Sequence, residues 1–192
     1  MTPTIRLARL EDVSRLREIY RYYVEETAVT FDYEVPSQEE FAARMQDIQS
    51  FYPYLVAEEA GQIVGYAYAA PFHVRPAYAW SAEMTIYLDH RQLHKGLGRL
   101  LYQQLEHYLR QMGVLNLNAC IASTAVEDAY LTNHSSGFHQ ALGYQLVGTF
   151  HSSGYKFNHW YDMIWMEKML GEHLELTPPV QSIHTILKQN LS

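Results

Sequence analysis

Arg91-Gln92-Leu93-His94-Lys95-Gly96-Leu97-Gly98-Arg99 is the stretch on which the reading of this chain turns. Before it, Ser81–Leu88 reads as a strand. After it, Gly98–Met112 reads as a helix, because Leu97, Leu101, Leu105, Tyr108 and Met112 recur at helical spacing. Gly113 follows as the left-handed residue that closes such a helix. A helix start leaves backbone N–H groups unpaired, and its dipole favours an anion there. Glycines let that backbone come close to a phosphate. Arg91, Lys95 and Arg99 add positive charge in a chain whose net charge is −7. A plain helix start with solvated charges is the bland alternative, and strand, turn, helix and charge together outweigh it. The turn is too short for a Walker loop and lacks the third glycine of a dinucleotide fingerprint.

Working outward, Thr4–Leu10 reads as a first strand and Glu11–Glu25 as a helix. Pro36 to Glu40 opens a second helix, with Ser37 as N-cap and Glu40 completing a capping box; Phe41, Met45 and Ile48 form its buried face. Tyr54–Glu59 and Gln62–Ala70 read as a hairpin turning at Ala60-Gly61. Pro71–Trp80 is an aromatic loop. Val114–Ile121 reads as a strand, Ser136–Leu142 as a short helix stopped by Gly143, and Tyr144–Tyr155 with Tyr161–Lys168 as a final antiparallel pair. The order gives one mixed α/β domain over residues 1–170, followed by a polar, proline-containing tail over 171–192, either disordered or packed on a neighbour.

The 192 residues suit one domain with a substantial core, and 48% hydrophobic with 18% charged residues is ordinary globular composition. The acidic balance argues against a nucleic-acid partner, which needs a basic face. No apolar run reaches the length of a membrane span, and the first ten residues lack the apolar core of a secretory signal. The lone Cys120 excludes an intrachain disulfide and fits a reducing compartment, so the expected location is the cytoplasm. Cys120 is expected to be a buried structural thiol rather than a nucleophile, since no helix start or base adjoins it. Among ten histidines, His90 and His94 are four apart with no completing carboxylate, so no functional metal is expected.

The glycine turn resembles the pyrophosphate loop of the GCN5-related N-acetyltransferase (GNAT) superfamily. The likeness extends along the chain to the phosphinothricin N-acetyltransferase group. It is carried by Tyr54-Leu55-Val56-Ala57-Glu58, Ala67-Tyr68-Ala69, Arg75 to Tyr78, Trp80-Ser81-Ala82-Glu83 and Ile86-Tyr87-Leu88. Then come Gly96-Leu97-Gly98, His139-Gln140-Ala141-Leu142-Gly143-Tyr144, Tyr155-Lys156 and Trp160-Tyr161-Asp162. It covers about Ile5 to Lys168. Leu93 stands where the family usually has Gln or Arg, and Asn133 sits about one residue from the family's Asn.

The resemblance implies a GNAT-like domain whose mixed, mostly antiparallel sheet splays between Glu83–Leu88 and Val114–Ile121 to take acetyl-CoA. It implies direct acetyl transfer to an amine in a ternary complex, with Glu83 as general base. His139 occupies the position of the family's thiolate-protonating Tyr, and histidine suits proton donation near neutral pH. Backbone at Ile86, Tyr87 and Leu88 would bind the pantetheine arm. His94, Lys95, Gly96, Leu97, Gly98 and Arg99 would cradle the pyrophosphate, with Asn133 and Ser136 as further cofactor contacts. Tyr144 is expected in the core. For a small amino-acid-like acceptor, Phe31, Tyr78 and Trp160 would wall the cleft, and Arg75 or Lys156 would clamp a carboxylate. The rivals are a protein N-terminus or polyamine as acceptor, a non-catalytic acetyl-CoA sensor and, more distantly, a nucleotide-binding domain. The family often forms homodimers, and the aromatic final strands agree with that.

Overall fold

The computed structural model of the chain describes residues 3–93 and 95–191. Seven strands form one open sheet in the order β1-β2-β3-β4-β5-β7-β6. They are β1 (Thr4–Leu7), β2 (Tyr54–Glu59), β3 (Gln62–Pro71), β4 (Ser81–Leu88), β5 (Asn116–Ser123), β6 (Gln145–Lys156) and β7 (His159–Met169). The helices are α1 (Val13–Glu26), α2 (Gln38–Gln49), α3 (Leu97–Met112), α4 (His134–Ala141) and α5 (Ile183–Gln189). All neighbours are antiparallel except β4 and β5, which are parallel.

That parallel pairing is short. It joins Ser81, Ala82 and Glu83 to Asn116, Leu117 and Asn118 and then ends. From Met84 and Ala119 onward the two strands have no ladder between them, so each presents an unpaired backbone edge to the gap. Each strand is held from its other side, β4 by β3 from Gly65 to Pro71 and β5 by β7 along its whole length.

Two cores cover the two sheet faces. On one, α3 buries Leu97, Leu101, Tyr102, Leu105, Leu109 and Met112 against Ala82, Met84, Leu117 and Ala119. On the other, α1 and α2 bury Leu16, Ile19, Tyr20, Phe41 and Met45 against Tyr54, Val56 and Tyr66. Strand side chains alternate between faces. Glu83 and Thr85 therefore share the α1/α2 face with Tyr87, which packs on Tyr20 and Tyr23.

Several local expectations hold. Ser37 and Glu40 make the capping box in both directions. Ala60 and Gly61 both take positive φ, 52° and 76°, the geometry of a tight hairpin turn. The first strand stops at Leu7 rather than Leu10, because Asp12 accepts hydrogen bonds from the Arg6 guanidinium and the Arg9 N–H and turns the chain into a 3₁₀ step. The described part of the segment after Gly171 ends in helix α5. It folds back on this chain: Gln181 N–H donates to Met112 O, Ile183 N–H donates to Phe51 O, and Ile183 and Ile186 are buried in the α3 core. Its mean polarity hides the two isoleucines, three residues apart, that dock it.

Candidate active site

The gap between β4 and β5 opens into a cleft of about 430 Å³. Its walls come from both strands, from the loop after α1 and from α3 and α4 beneath. Glu83 stands at the point where the strands part, half-buried, and its carboxylate makes no hydrogen bond to another described residue. Loss of solvation raises its pKa above the ordinary carboxylate value, with His73 pulling weakly the other way. A carboxylate so placed holds its charge less readily than one in water and accepts a proton more readily.

On the α3/α4 face, His139 is 3% exposed. Its Nδ1 lies 2.7 Å from Ser135 O, and its Nε2 2.8 Å from the Tyr102 hydroxyl. A carbonyl only accepts, so Nδ1 carries the proton of the neutral ring and Nε2 accepts from Tyr102. Burial lowers the pKa of His139, while the Ser135 carbonyl favours its charged form. Tyr102 was not singled out by sequence. Its position is the second turn of α3, and only the packing of α4 on α3 brings its hydroxyl to His139 and to the cleft. Tyr144 is core, as expected, its hydroxyl buried without a partner among the described residues.

The glycine turn does open α3. Gly96 is the N-cap with φ 77°, a left-handed conformation, and no side chain caps the helix. The N–H groups of Leu97, Gly98 and Arg99 are thus left for an external acceptor, and a Cβ on Gly96 would meet nothing within 4 Å, so the approach is open. Gly98 does a different job. A Cβ there would sit 3.0 Å from the Phe138 ring, so its absence lets α3 lie against α4. Not all the nearby charge is uncommitted. Arg91 and Arg15 both pair with the buried Asp89, and the Lys95 ammonium contacts Gln92 and Glu59. Arg91, with Arg15, holds Asp89 far below the usual carboxylate range. Asp89 also accepts from Arg91 N–H, so it ties the turn to α1.

The chain matches the acetyltransferase (GNAT) domain family over residues 5–165. It is 32% identical to the phosphinothricin N-acetyltransferase of Streptomyces viridochromogenes, over 95% of this chain and 93% of that one. It is 29% identical to an L-methionine sulfoximine/L-methionine sulfone acetyltransferase of Salmonella typhimurium, over 88% and 96%. The crystal structure of a GNAT superfamily phosphinothricin acetyltransferase from Sinorhizobium meliloti in complex with AcCoA superposes with TM-score 0.84 at 34% identity, covering 93% of this chain and 94% of that one.

This chain belongs to the GNAT acetyltransferase family. It is an N-acetyltransferase with acetyl-CoA as cosubstrate, and the splayed seven-stranded sheet is the fold of that family. The residues present fit the coenzyme: an uncapped helix start faces open space, and the β4 backbone from Met84 is unpaired along the cleft. Leu88 O is the exception on that edge, since it accepts from the Tyr23 hydroxyl at 2.6 Å.

The remaining sequence-predicted residues separate. His94 lies outside the described residues. Asn133 is the N-cap of α4, and its side-chain amide is bonded to Ser123 and Thr124, joining the end of β5 to α4. Ser136 donates to Asn133 O. Arg99 is exposed beside Ala141 O. Phe31 lines the cleft and lies over Gly154, where a Cβ would stand 2.3 Å from its ring. Arg75 and Tyr78 sit on an exposed 3₁₀ turn outside the cleft, Tyr78 against Phe72 and His73. Trp160 is 59% exposed and packs on Tyr155.

Two expectations are corrected. Lys156 does not face an acceptor: it is 3% exposed, and its ammonium donates to Thr27 O and Thr30 O at 2.8 Å each. It clamps the loop that carries Phe31. Cys120 is not a core residue: it is exposed on the cleft wall. It shares a face with Asn118, the pairing partner of Glu83, because side chains two apart on a strand point the same way. Partial burial and the Glu83 carboxylate push its thiol up to about 11, so the expectation that it is no nucleophile keeps its physical ground.

Proposed function

We propose that the acceptor is the amine of a small amino acid or analogue, that Glu83 is the general base, and that the thiolate is protonated through His139. The observation that carries this reading is an uncompensated, half-buried carboxylate at the point where β4 and β5 part. Bound acetyl-CoA supplies an activated thioester carbonyl. Glu83 takes the proton that the attacking ammonium or amine must lose, directly or through a water. His139 acts as the acid once Nε2 of its neutral ring has taken up a proton from solvent, a form that burial disfavours; Nε2–H then donates to the Tyr102 oxygen, and Tyr102 passes its own proton to the departing sulfur. The free N–H groups of Leu97 to Arg99 hold the pyrophosphate, supported by Lys95 and Arg99. The relatives named above, which act by name on amino-acid analogues, support the acceptor class, as does the small cleft with Phe31 in its wall.

Among the described residues no helix is long and apolar enough to cross a membrane. We place the reaction in the cytoplasm, where acetyl-CoA is produced and a lone thiol stays reduced. We also propose a homodimer. Edge strand β6 exposes Leu146, Val147 and Phe150 by 56–60%, and an open apolar edge of this kind invites pairing with a second copy. Light scattering of the purified chain tests the second point. Thiol release from acetyl-CoA with amino acids, polyamines and short peptides tests the first. Release with α-amino acids supports it; release with peptides or polyamines alone would overturn it.

A further inference from the structure

Strand β4 begins at Ser81, directly after an exposed loop in which Val74 is 96% exposed. One long bond ties its first residue to the near end of that loop, Phe72 N–H to Ser81 O at 3.4 Å. The firmer anchor is Trp80. Its carbonyl accepts from Leu115 N–H at 2.9 Å and from Asn116 N–H at 3.0 Å. Those two bonds start the parallel ladder of β4 and β5, which runs through Ser81, Ala82 and Glu83 and stops. The catalytic carboxylate is thus the last rung of a ladder whose first bonds Trp80 makes. Parallel pairing is the weaker kind per residue, and so short a ladder has little reserve against a shift at its start.

The Trp80 side chain is held from outside the sheet. Its Nε1–H donates to Pro178 O at 2.7 Å. Pro178 belongs to segment 170–182, which runs from the end of β7 to α5 and lies beyond residues 5–165 of the family match. This strap touches the base of β5 as well. Leu170 N–H donates to Leu115 O at 2.7 Å, His173 Nε2 lies 2.7 Å from Asn116 Oδ1, and Gln181 N–H donates to Met112 O at 2.8 Å. Between these points it arches over a cavity of about 830 Å³ with Trp80 and Leu115 in its wall, and it leaves Leu174 and Leu176 59% and 89% exposed. A segment that served by filling the core would bury its leucines. This one makes point contacts, and they fall on the residues that open the ladder. Ile183 and Ile186, buried in the α3 core, fix its far end.

We propose that Trp80 is a positioning residue for acetyl transfer: the C-terminal strap fixes Trp80 through Pro178 O, Trp80 fixes the register of β4 against β5, and that register sets Glu83 where the strands part. The proposal rests on the reading of Glu83 as the base. Slackening the strap leaves the coenzyme turn at Gly96 and the α1/α2 face untouched, so binding is spared. It lets the start of β4 drift, which misplaces the carboxylate and admits water to it. A misplacement of about 1 Å costs up to about a hundredfold in rate.

The test is thiol release from acetyl-CoA with phosphinothricin and L-methionine sulfoximine, on which the relatives act by name. It compares the unaltered protein, Trp80→Phe, a variant with two glycines inserted between Leu176 and Thr177, the two changes together, and Glu83→Gln. Trp80→Phe keeps a ring and loses the donor; the insertion keeps Trp80 and slackens the strap, so the outcome does not hang on one variant folding. Each is expected to lower kcat about tenfold with both KM values within about twofold. The acid limb of kcat/KM should move down towards the ordinary carboxylate value of 4.5, because a hydrated carboxylate ionises more readily. The two changes together should do no more than either alone, since both remove one contact. A lower melting temperature with kcat and the acid limb unchanged would show that the strap serves only the fold and overturn the proposal, as would additive losses in the combined variant. An acid limb that persists in Glu83→Gln would overturn the reading of Glu83 and the proposal with it. No release by the unaltered protein with either amine would do the same.

Discussion

On the α3/α4 side of the gap, most polar groups are already bonded: both ring nitrogens of His139 have partners, the Asn133 amide is tied to β5, and Asp89 at the glycine turn is held by two arginines, while the Tyr144 hydroxyl is the buried exception. On the α1/α2 side, the Glu83 carboxylate and the Tyr54 and Tyr66 hydroxyls have no hydrogen-bond partner among the described residues. The first side is arranged before anything binds, as suits a coenzyme of constant shape. The second keeps donors and a charge uncommitted, as suits a partner that must be recognised.

Four substitutions bear on that contrast, in order of expected effect. Glu83→Gln removes the base and should lower kcat by about a thousandfold, within the usual range for such a group. Its pH profile sharpens the point. Glu83 works when ionised and its pKa is raised, so in the unaltered protein kcat/KM should fall on acidification at a pH above the ordinary carboxylate value of 4.5. That limb should vanish in Glu83→Gln, and its persistence would move the base elsewhere.

Lys156→Met strips the Thr27 and Thr30 carbonyls of their donor, at a cost of about 3 kcal/mol. If Lys156 serves the acceptor side only, the acceptor's KM should rise while that of acetyl-CoA holds. A parallel rise in both would break the division between the two sides. Asp89→Asn is its counterpart on the coenzyme side, with a stability loss of about 2 kcal/mol, since both arginines are partly solvated, and a raised KM for acetyl-CoA. The folded pKa of Asp89 is depressed, so its contribution is present above the ordinary value of 3.8 and fades as pH falls below it. Urea titrations of Asp89→Asn should therefore lose stability less steeply below pH 4 than those of the unaltered protein. Gly98→Ala is the mildest, about 1 kcal/mol, because the Phe138 ring 3.0 Å away has to shift. It should raise the KM for acetyl-CoA without altering acceptor preference.

Legibility in the sequence followed the range of the interaction. Ser37 and Glu40 are three residues apart, and the capping box was readable because both partners lie in one turn. Gly96 and Gly113 likewise act through their own backbone. Lys156 was misassigned because its partners, Thr27 and Thr30, are about 126 residues away. Cys120 was taken as buried because it sits mid-strand with no helix start or base beside it; the splay of β4 from β5 exposes it. Tyr102 gave no signal: it lies beside the apolar stripe read for α3, and only the packing of α4 sets His139 against it.

By itself the sequence determined the order of elements from β1 to β7, the glycine turn that starts α3 and the family, because these depend on local spacing and local backbone freedom; it did not show helix α5. The tertiary structure alone decided which side chains face the gap and which are used up inside the fold. That choice depends on where unrelated segments meet: Thr27 and Thr30 consume Lys156, and Phe51 and Met112 capture the C-terminal segment. Burial and hydrogen bonding are settled by such encounters, and a linear pattern of residues does not contain them.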